Sequence, residues 1–202
     1  MPNPPPLEYG YTYHIYNRGT NRTNLFTEER NYRYFLDKYR HCIEPVAETY
    51  AYSLLRNHFH LFVRVRSAEE QEAWAVAHAP GAPFRLRKPS RQFANLFGGY
   101  AMGFNKTYGR TGSLFEHPFH RKQVQTTAYR LRLVVYIHRN PQHHGLVRDF
   151  REWPFSSYHA LLSTSPTHVQ RDTVLAWYGG VADFVAAHKV VEDDLDVFEP
   201  SD

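Results

Sequence analysis

Nine consecutive residues, His58-Phe-His-Leu-Phe-Val-Arg-Val-Arg66, alternate in a way that commits them to a β-strand. Successive side chains of a strand point to opposite faces. Phe59, Leu61, Val63 and Val65 therefore share one apolar, largely β-branched or aromatic face, and His58, His60, Phe62, Arg64 and Arg66 share the other. Two imidazoles projecting side by side from a sheet suit a shared divalent metal. A His-x-His pair is also an ordinary polar pair on many strands, so the metal reading needs a third ligand and a reactive group from elsewhere in the chain.

The surrounding pattern places this strand in a larger sheet. Tyr11-Thr-Tyr-His-Ile-Tyr16 is aromatic and β-branched, a first strand, and Asn17-Arg-Gly-Thr-Asn21 is a turn by composition. Thr27 to Arg40 reads as a helix with Thr27 as N-cap, Glu28 and Glu29 at the positive end of its dipole, and Tyr32, Phe35, Leu36 and Tyr39 at helical spacing; Pro45 marks its end. Strands are expected near 47–55 and 58–66 with a turn near Asn57, a short helix over 69–79, and an exposed basic loop at Phe84-Arg-Leu-Arg-Lys-Pro89. Ser90 to Tyr108 carries Phe93, Phe97, Tyr100 and Phe104 on one stripe, a spacing that says core although aromatics can stack on bases. Phe119 to Val124 is a fourth strand. Thr126 or Thr127 then caps a helix that Pro141 should end at Asn140. Trp153 to Tyr158 is a turn, followed by shorter helices near 173–178 and 181–189. The order β-α-β-β-α-β-α predicts an α+β fold: a four-stranded antiparallel ferredoxin-like (RRM-like) sheet with helices on one face and a C-terminal helical extension.

Charge is distributed unevenly enough to indicate a partner. Residues 1–72 hold nine Lys/Arg and nine Asp/Glu; residues 73–148 hold twelve against Glu116 alone, a net of +11; residues 149–202 hold three against ten, a net of −7. A middle third almost without acid is the footprint of a polyanion-binding surface. The last dozen residues are acidic and expected to be loosely held, where they could compete with nucleic acid for the basic groove. A single cysteine, Cys42, and the lack of any apolar run near the length of a membrane span predict a soluble cytoplasmic protein with no membrane partner.

The missing groups sit on the helix over 126–140. Tyr136 and Asn140 are i and i+4 on one face, Leu131, Leu133, Val134, Val135 and Ile137 give apolar surface, and Arg130, Arg132 and Arg139 keep it basic. If this face meets the two histidines, Asn140 supplies an oxygen ligand and Tyr136 lies beside the metal. Tyr129, seven residues earlier, is the rival nucleophile but lies three turns from Asn140. His117, His120, His138, His143 and His144 could suggest zinc, but they lack cysteine partners and regular ligand spacing.

Asn57-His-Phe-His-Leu61 together with Tyr136-Ile-His-Arg-Asn-Pro141 resembles the single-tyrosine HUH transposases of insertion sequences, and more closely the REP-associated tyrosine transposases. Tyr16-Asn-Arg-Gly19, Asn105-Lys-Thr-Tyr-Gly-Arg-Thr-Gly-Ser-Leu-Phe115 and Trp153-Pro-Phe-Ser-Ser-Tyr158 match as well, and the likeness covers residues 9–160, more weakly to 190. The resemblance implies a HUH transposase domain over 9–148 and a C-terminal extension with an acidic tail over 149–202. It implies that His58, His60 and Asn140 hold Mg²⁺ or Mn²⁺. It also implies that Tyr136 attacks a phosphate of single-stranded or hairpin DNA, leaving a 5′-phosphotyrosine link and a 3′-OH, in a monomer or homodimer. Asn140 matches the REP-associated branch, where enzymes that mobilise insertion sequences often have Gln. Glu116-His-Pro-Phe-His-Arg-Lys122 departs from an Arg-rich segment found in many relatives. Expected phosphate contacts are Arg18, Arg64, Arg85, Arg87, Lys88, Arg91, Arg121, Lys122, Arg132 and Arg139. Two other readings stand beside this one: a non-catalytic module that stacks RNA bases on an open sheet, and a relaxase or replication initiator with the same HUH chemistry.

Overall fold

A computed structural model describes residues 6–190; the expected loose acidic tail lies outside the described residues. Four strands, β1 (Thr12–Arg18), β2 (Ala47–Leu54), β3 (His58–Val65) and β4 (His120–Gln123), form one antiparallel sheet in the order β2-β3-β1-β4. Helices α1 (Glu29–Ile43) and α3 (Pro89–Tyr108) make the two crossovers of the ferredoxin-like pattern, and α2 (Ala68–His78) is inserted before α3. The α+β class and the strand order follow the sequence reading.

The period-two faces of β3 decide where each layer goes. Phe59, Leu61, Val63 and Val65 join Tyr13 and Ile15 of β1 in a core with Tyr32, Phe35 and Tyr39 of α1 and Phe93, Leu96, Phe97, Tyr100 and Phe104 of α3. Each such side chain contributes about 1.5–3 kcal/mol by leaving water. The aromatic stripe of α3 is thus core, as its spacing indicates. The two helices approach closely at Gly103, where an added Cβ would lie 2.5 Å from the Tyr34 hydroxyl.

The histidine face of the sheet is covered by α4 (Thr127–His143). Leu133, Val134, Tyr136 and Ile137 of α4 pack with Tyr50, Ala51 and Phe62 of the sheet, and the same cluster takes in Tyr158, Leu161, Val174 and Phe184. Those last residues belong to or adjoin α5 (Tyr158–Leu162), α6 (Arg171–Tyr178) and α7 (Val181–Lys189), so the extension shares a core with the helix that carries Tyr136. The segment before α5 is stitched to β2: Trp153 Nε1 donates to the Leu54 carbonyl at 3.0 Å, and the Tyr52 N–H donates to Ser157 Oγ at 2.9 Å.

Two local expectations are corrected. Glu28, not Thr27, caps α1, because its side chain and that of Asn31 form a reciprocal capping box, while Thr27 donates to Asn31 Oδ1. Helix α4 does not stop at Asn140 but runs through Pro141 to His143. Proline lacks an N–H, yet the last turn closes around it: the N–H of His144 reaches the Asn140 carbonyl at 3.0 Å and that of Leu146 the Pro141 carbonyl at 2.9 Å. Gly145, at φ 66°, then ends the helix in the left-handed conformation. Among the described residues no helix is long and apolar enough to cross a membrane.

Candidate active site

Antiparallel register places Arg18 opposite His58, Tyr16 opposite His60 and His14 opposite Phe62. Alternation then puts His14, Tyr16 and Arg18 on the same face as His58 and His60. Asn140 comes down from α4 onto this face, with Oδ1 3.1 Å from His58 Nε2. On its other side His58 Nδ1 lies 2.8 Å from Asn57 Oδ1, which holds the ring in place. His58 Nε2 and Asn140 Oδ1 thus stand within hydrogen-bond distance, bringing an imidazole nitrogen and an amide oxygen together on this face.

His60 completes the cluster from one strand position further. Its Nδ1 lies 3.0 Å from His14 Nε2, and its Nε2 is buried with no partner among the described residues. Burial first, then the neighbouring imidazoles of His14, His58 and His144, hold its pKa well below the usual histidine range. The neutral imidazole is the form that ligates a metal. Two neutral ring nitrogens and an amide oxygen fit a divalent cation by donor type while offering it no charge. Among the described residues no group of three His, Cys, Asp or Glu could hold a metal ion; the oxygen that stands beside the two imidazoles is Asn140 Oδ1.

Tyr136 is fully buried, with its ring edge-on to His60 (centroids 5.2 Å apart, 82° between planes) and to His14 (6.2 Å, 79°). In this arrangement the Tyr136 side chain is closed off from solvent. Beside His58 opens a cavity of 580 Å³ lined by Arg18, Arg22, Asn24, Arg56, Asn57, His143 and His144. Arg22, which lines it, and the preceding Asn21 adopt φ of 57° and 55°, a left-handed conformation unfavourable for an arginine.

The expected phosphate contacts divide by environment. Arg18 lines the cavity and pairs with Glu116, the one acid of the basic third, at 2.9 Å. Lys122 projects on the histidine side and lies 5.0 Å from the centre of the Tyr129 ring, while Arg132 is half-exposed one turn before Tyr136. Arg85, Arg87, Lys88 and Arg91 are exposed in the loop before α3 and in its first turn. Three others are engaged within the protein. Arg64 pairs with Glu48 at 2.8 Å and Glu70 at 2.7 Å, which raise its already high pKa. Arg121 lies opposite Ile15, which turns it to the α3 side, 3.4 Å from Ser90 Oγ and against the Phe119 ring. Arg139 donates to the His188 carbonyl at 2.7 Å.

Sequence reasoning did not single out His14, Arg22, Arg56 or His144 for this site, although the His144 ring lies 4.7 Å from that of His58. His14 could have been reached by extending the two-residue alternation from Tyr16; the others depend on loops. His138 belongs to no metal cluster. Its Nδ1 meets His188 Nε2 and its Nε2 meets Ser157 Oγ, each at 2.8 Å, in a buried chain joining α4 to α7 and β2.

No family model matches the chain. Over 113 residues, 55% of this chain, it is 26% identical to a Haemophilus influenzae protein named as a REP-associated tyrosine transposase, and the match spans 59% of that relative's length. A REP-associated tyrosine transposase solved bound to a REP hairpin shares the fold, with a TM-score of 0.59 at 18% identity over 82% of this chain and 88% of that one. The resemblance read from the motifs thus holds in both sequence and fold.

Proposed function

We propose that this chain, sharing sequence and fold with REP-associated tyrosine transposases, nicks and rejoins single-stranded or hairpin DNA through a covalent tyrosine intermediate. The observation that carries the reading is the convergence of His58, His60, Asn140 and the Tyr136 ring, from a strand and a helix distant in sequence, beside a cavity lined with arginines. A divalent ion such as Mg²⁺ or Mn²⁺, held by His58, His60 and Asn140, would polarise the scissile phosphate. Tyr136 Oη gives its proton to solvent and forms the new bond to phosphorus, the bond from phosphorus to the 3′-oxygen breaks, and that oxygen takes up a proton from solvent and leaves as a 3′-OH. The link that remains is a 5′-phosphotyrosine. Rejoining is the same step reversed, with a 3′-OH attacking the tyrosyl phosphate. Arg18, Arg22 and Arg56 would hold the strand beside His58, and the REP hairpin bound by the structural neighbour indicates the kind of DNA to offer.

An RNA-stacking sheet needs an open aromatic face, and here Phe62 lies beneath α4. That arrangement favours the nuclease reading over the binding-module reading. The test is covalent capture. Labelled hairpin oligonucleotide with a single-stranded flank is incubated with protein and Mn²⁺ and resolved on a denaturing gel. An adduct that forms with the wild type and vanishes with chelator or with Tyr136→Phe supports the proposal; hairpin binding with no adduct under any divalent ion refutes it.

A further inference from the structure

His14 is a buried histidine on β1 that belongs to neither the proposed donor set nor the nucleophile. We infer that His14 is a positioning residue for His60, fixing which imidazole nitrogen His60 turns toward bound metal and phosphate. This inference rests on the metal-dependent reading above. The contact is specific: His14 Nε2 lies 3.0 Å from His60 Nδ1, and the two rings stack with centroids 5.1 Å apart and planes 24° from parallel. Register explains the pairing, since His14 stands opposite Phe62 on the strand that carries Tyr16 opposite His60, making His14 the diagonal neighbour of His60 on one face.

The consequence follows from imidazole chemistry. A neutral ring has one N–H and one lone pair. When His14 Nε2 accepts, the His60 hydrogen sits on Nδ1 and the lone pair on Nε2. That Nε2 is the buried atom with no partner, on the far side of the ring from His14. With the polarity reversed, His60 Nε2 carries the hydrogen and can only donate. With His14 Nε2 as the acceptor, the contact selects the tautomer of His60 and holds the ring plane. Partners behind a ligating histidine do this in metal sites generally, and losing one typically costs about 10–100-fold in metal affinity.

His14→Leu keeps volume without an acceptor, and His14→Gln places an amide oxygen near the lost nitrogen. Both are made in a Tyr136→Phe background, so that DNA stays uncleaved. Mn²⁺ affinity is then read from the paramagnetic resonance signal of unbound Mn²⁺, with hairpin oligonucleotide present. Hairpin affinity in chelator and the melting temperature serve as controls. His14→Leu should weaken Mn²⁺ binding about 10–100-fold with both controls near wild type, and His14→Gln should recover most of the loss. If His14→Leu does not fold, His14→Asn, whose amide is too short to reach, replaces it with the same expectation. Mn²⁺ affinity within about twofold of wild type, or equal losses in the Gln and Leu variants, would overturn the inference while leaving the proposed function standing. No Mn²⁺ binding by the Tyr136→Phe parent, together with no adduct from the wild type, would overturn both.

Discussion

Asn140 Oδ1 and His58 Nε2 stand 3.1 Å apart, and His60, two residues along the strand on the same face, has a ring nitrogen with no partner among the described residues. A site built from neutral donors should bind a divalent ion weakly alone and more tightly once a phosphate adds charge. Calorimetry on the DNA-free protein should therefore show weak Mn²⁺ binding that strengthens when hairpin DNA is added; tight binding without DNA would contradict the assignment. His58→Ala, His60→Ala and Asn140→Ala should each slow adduct formation by about 100-fold or more, at least the upper range for losing a supporting residue. A different residue controls the cavity wall. A Cβ on Gly19 would sit 2.0 Å from the Thr23 carbonyl oxygen, a backbone atom that cannot turn aside. Gly19→Ala should destabilise the fold by about 1–3 kcal/mol in urea unfolding and displace Arg18 and Arg22 with it. That the histidine pair shares one strand face, and Tyr136 and Asn140 one helix face, was legible because strand and helix periods are local properties of the sequence. Arg121 was not, because a four-residue strand gives too little pattern to fix which face a side chain takes.

Helix α4 is the element on which the site depends, since Tyr136 and Asn140 both ride on it. Its orientation is set on the opposite side by the chain Ser157–His138–His188, and the polarity of that chain is determined. His188 Nδ1 lies 2.8 Å from the Phe184 carbonyl, which can only accept, so His188 Nε2 accepts from His138 Nδ1. Burial pushes the His188 pKa down to about 4, with the Phe184 carbonyl opposing and the Arg139 charge adding to the depression. An unfolded histidine titrates near ~6.5, so between that pH and about 4 the unfolded chain holds a proton that the native protein does not. Stability is full above pH ~6.5 and falls with acid, by roughly 2 kcal/mol at pH ~5 from this group. The urea midpoint should drop between pH 7.5 and 5, and His188→Gln should lessen that drop, leaving the part that buried His138 and His60 contribute; an unchanged slope would mean His188 is not held neutral. The existence of α4 was readable from its cap and apolar spacing. Its passage through Pro141 was not, because it depends on which carbonyls the following residues reach.

At the scale of the whole molecule, one sheet carries a packed core on one side and a covered polar site on the other, with the basic residues of the middle third spread around it. The ferredoxin-like order was legible from the succession of elements. The packing of the extension into one core with α4 was not, since Tyr158, Leu161, Val174 and Phe184 show no local pattern naming their partner. Affinity for DNA should be dominated by phosphate neutralisation, so log K should fall with log salt by about 0.7 for each phosphate neutralised on a single strand. Arg87→Ala or Lys88→Ala should each lower that slope by about one contact, whereas Arg64→Ala, whose charge is already met by Glu48 and Glu70, should leave it unchanged. Equal slopes in all three variants would remove the exposed loop from the interface. The central claim, that Tyr136 carries the DNA, is tested most directly by locating the adduct. Trypsin separates the two candidate tyrosines, because cleavage after Arg132 and Arg139 releases residues 133–139 while Tyr129 lies on a different peptide that ends at Arg130. Mass spectrometry of the digested, nuclease-trimmed complex should find the nucleotide mass on the peptide containing Tyr136. Finding it on the Tyr129 peptide would contradict the account.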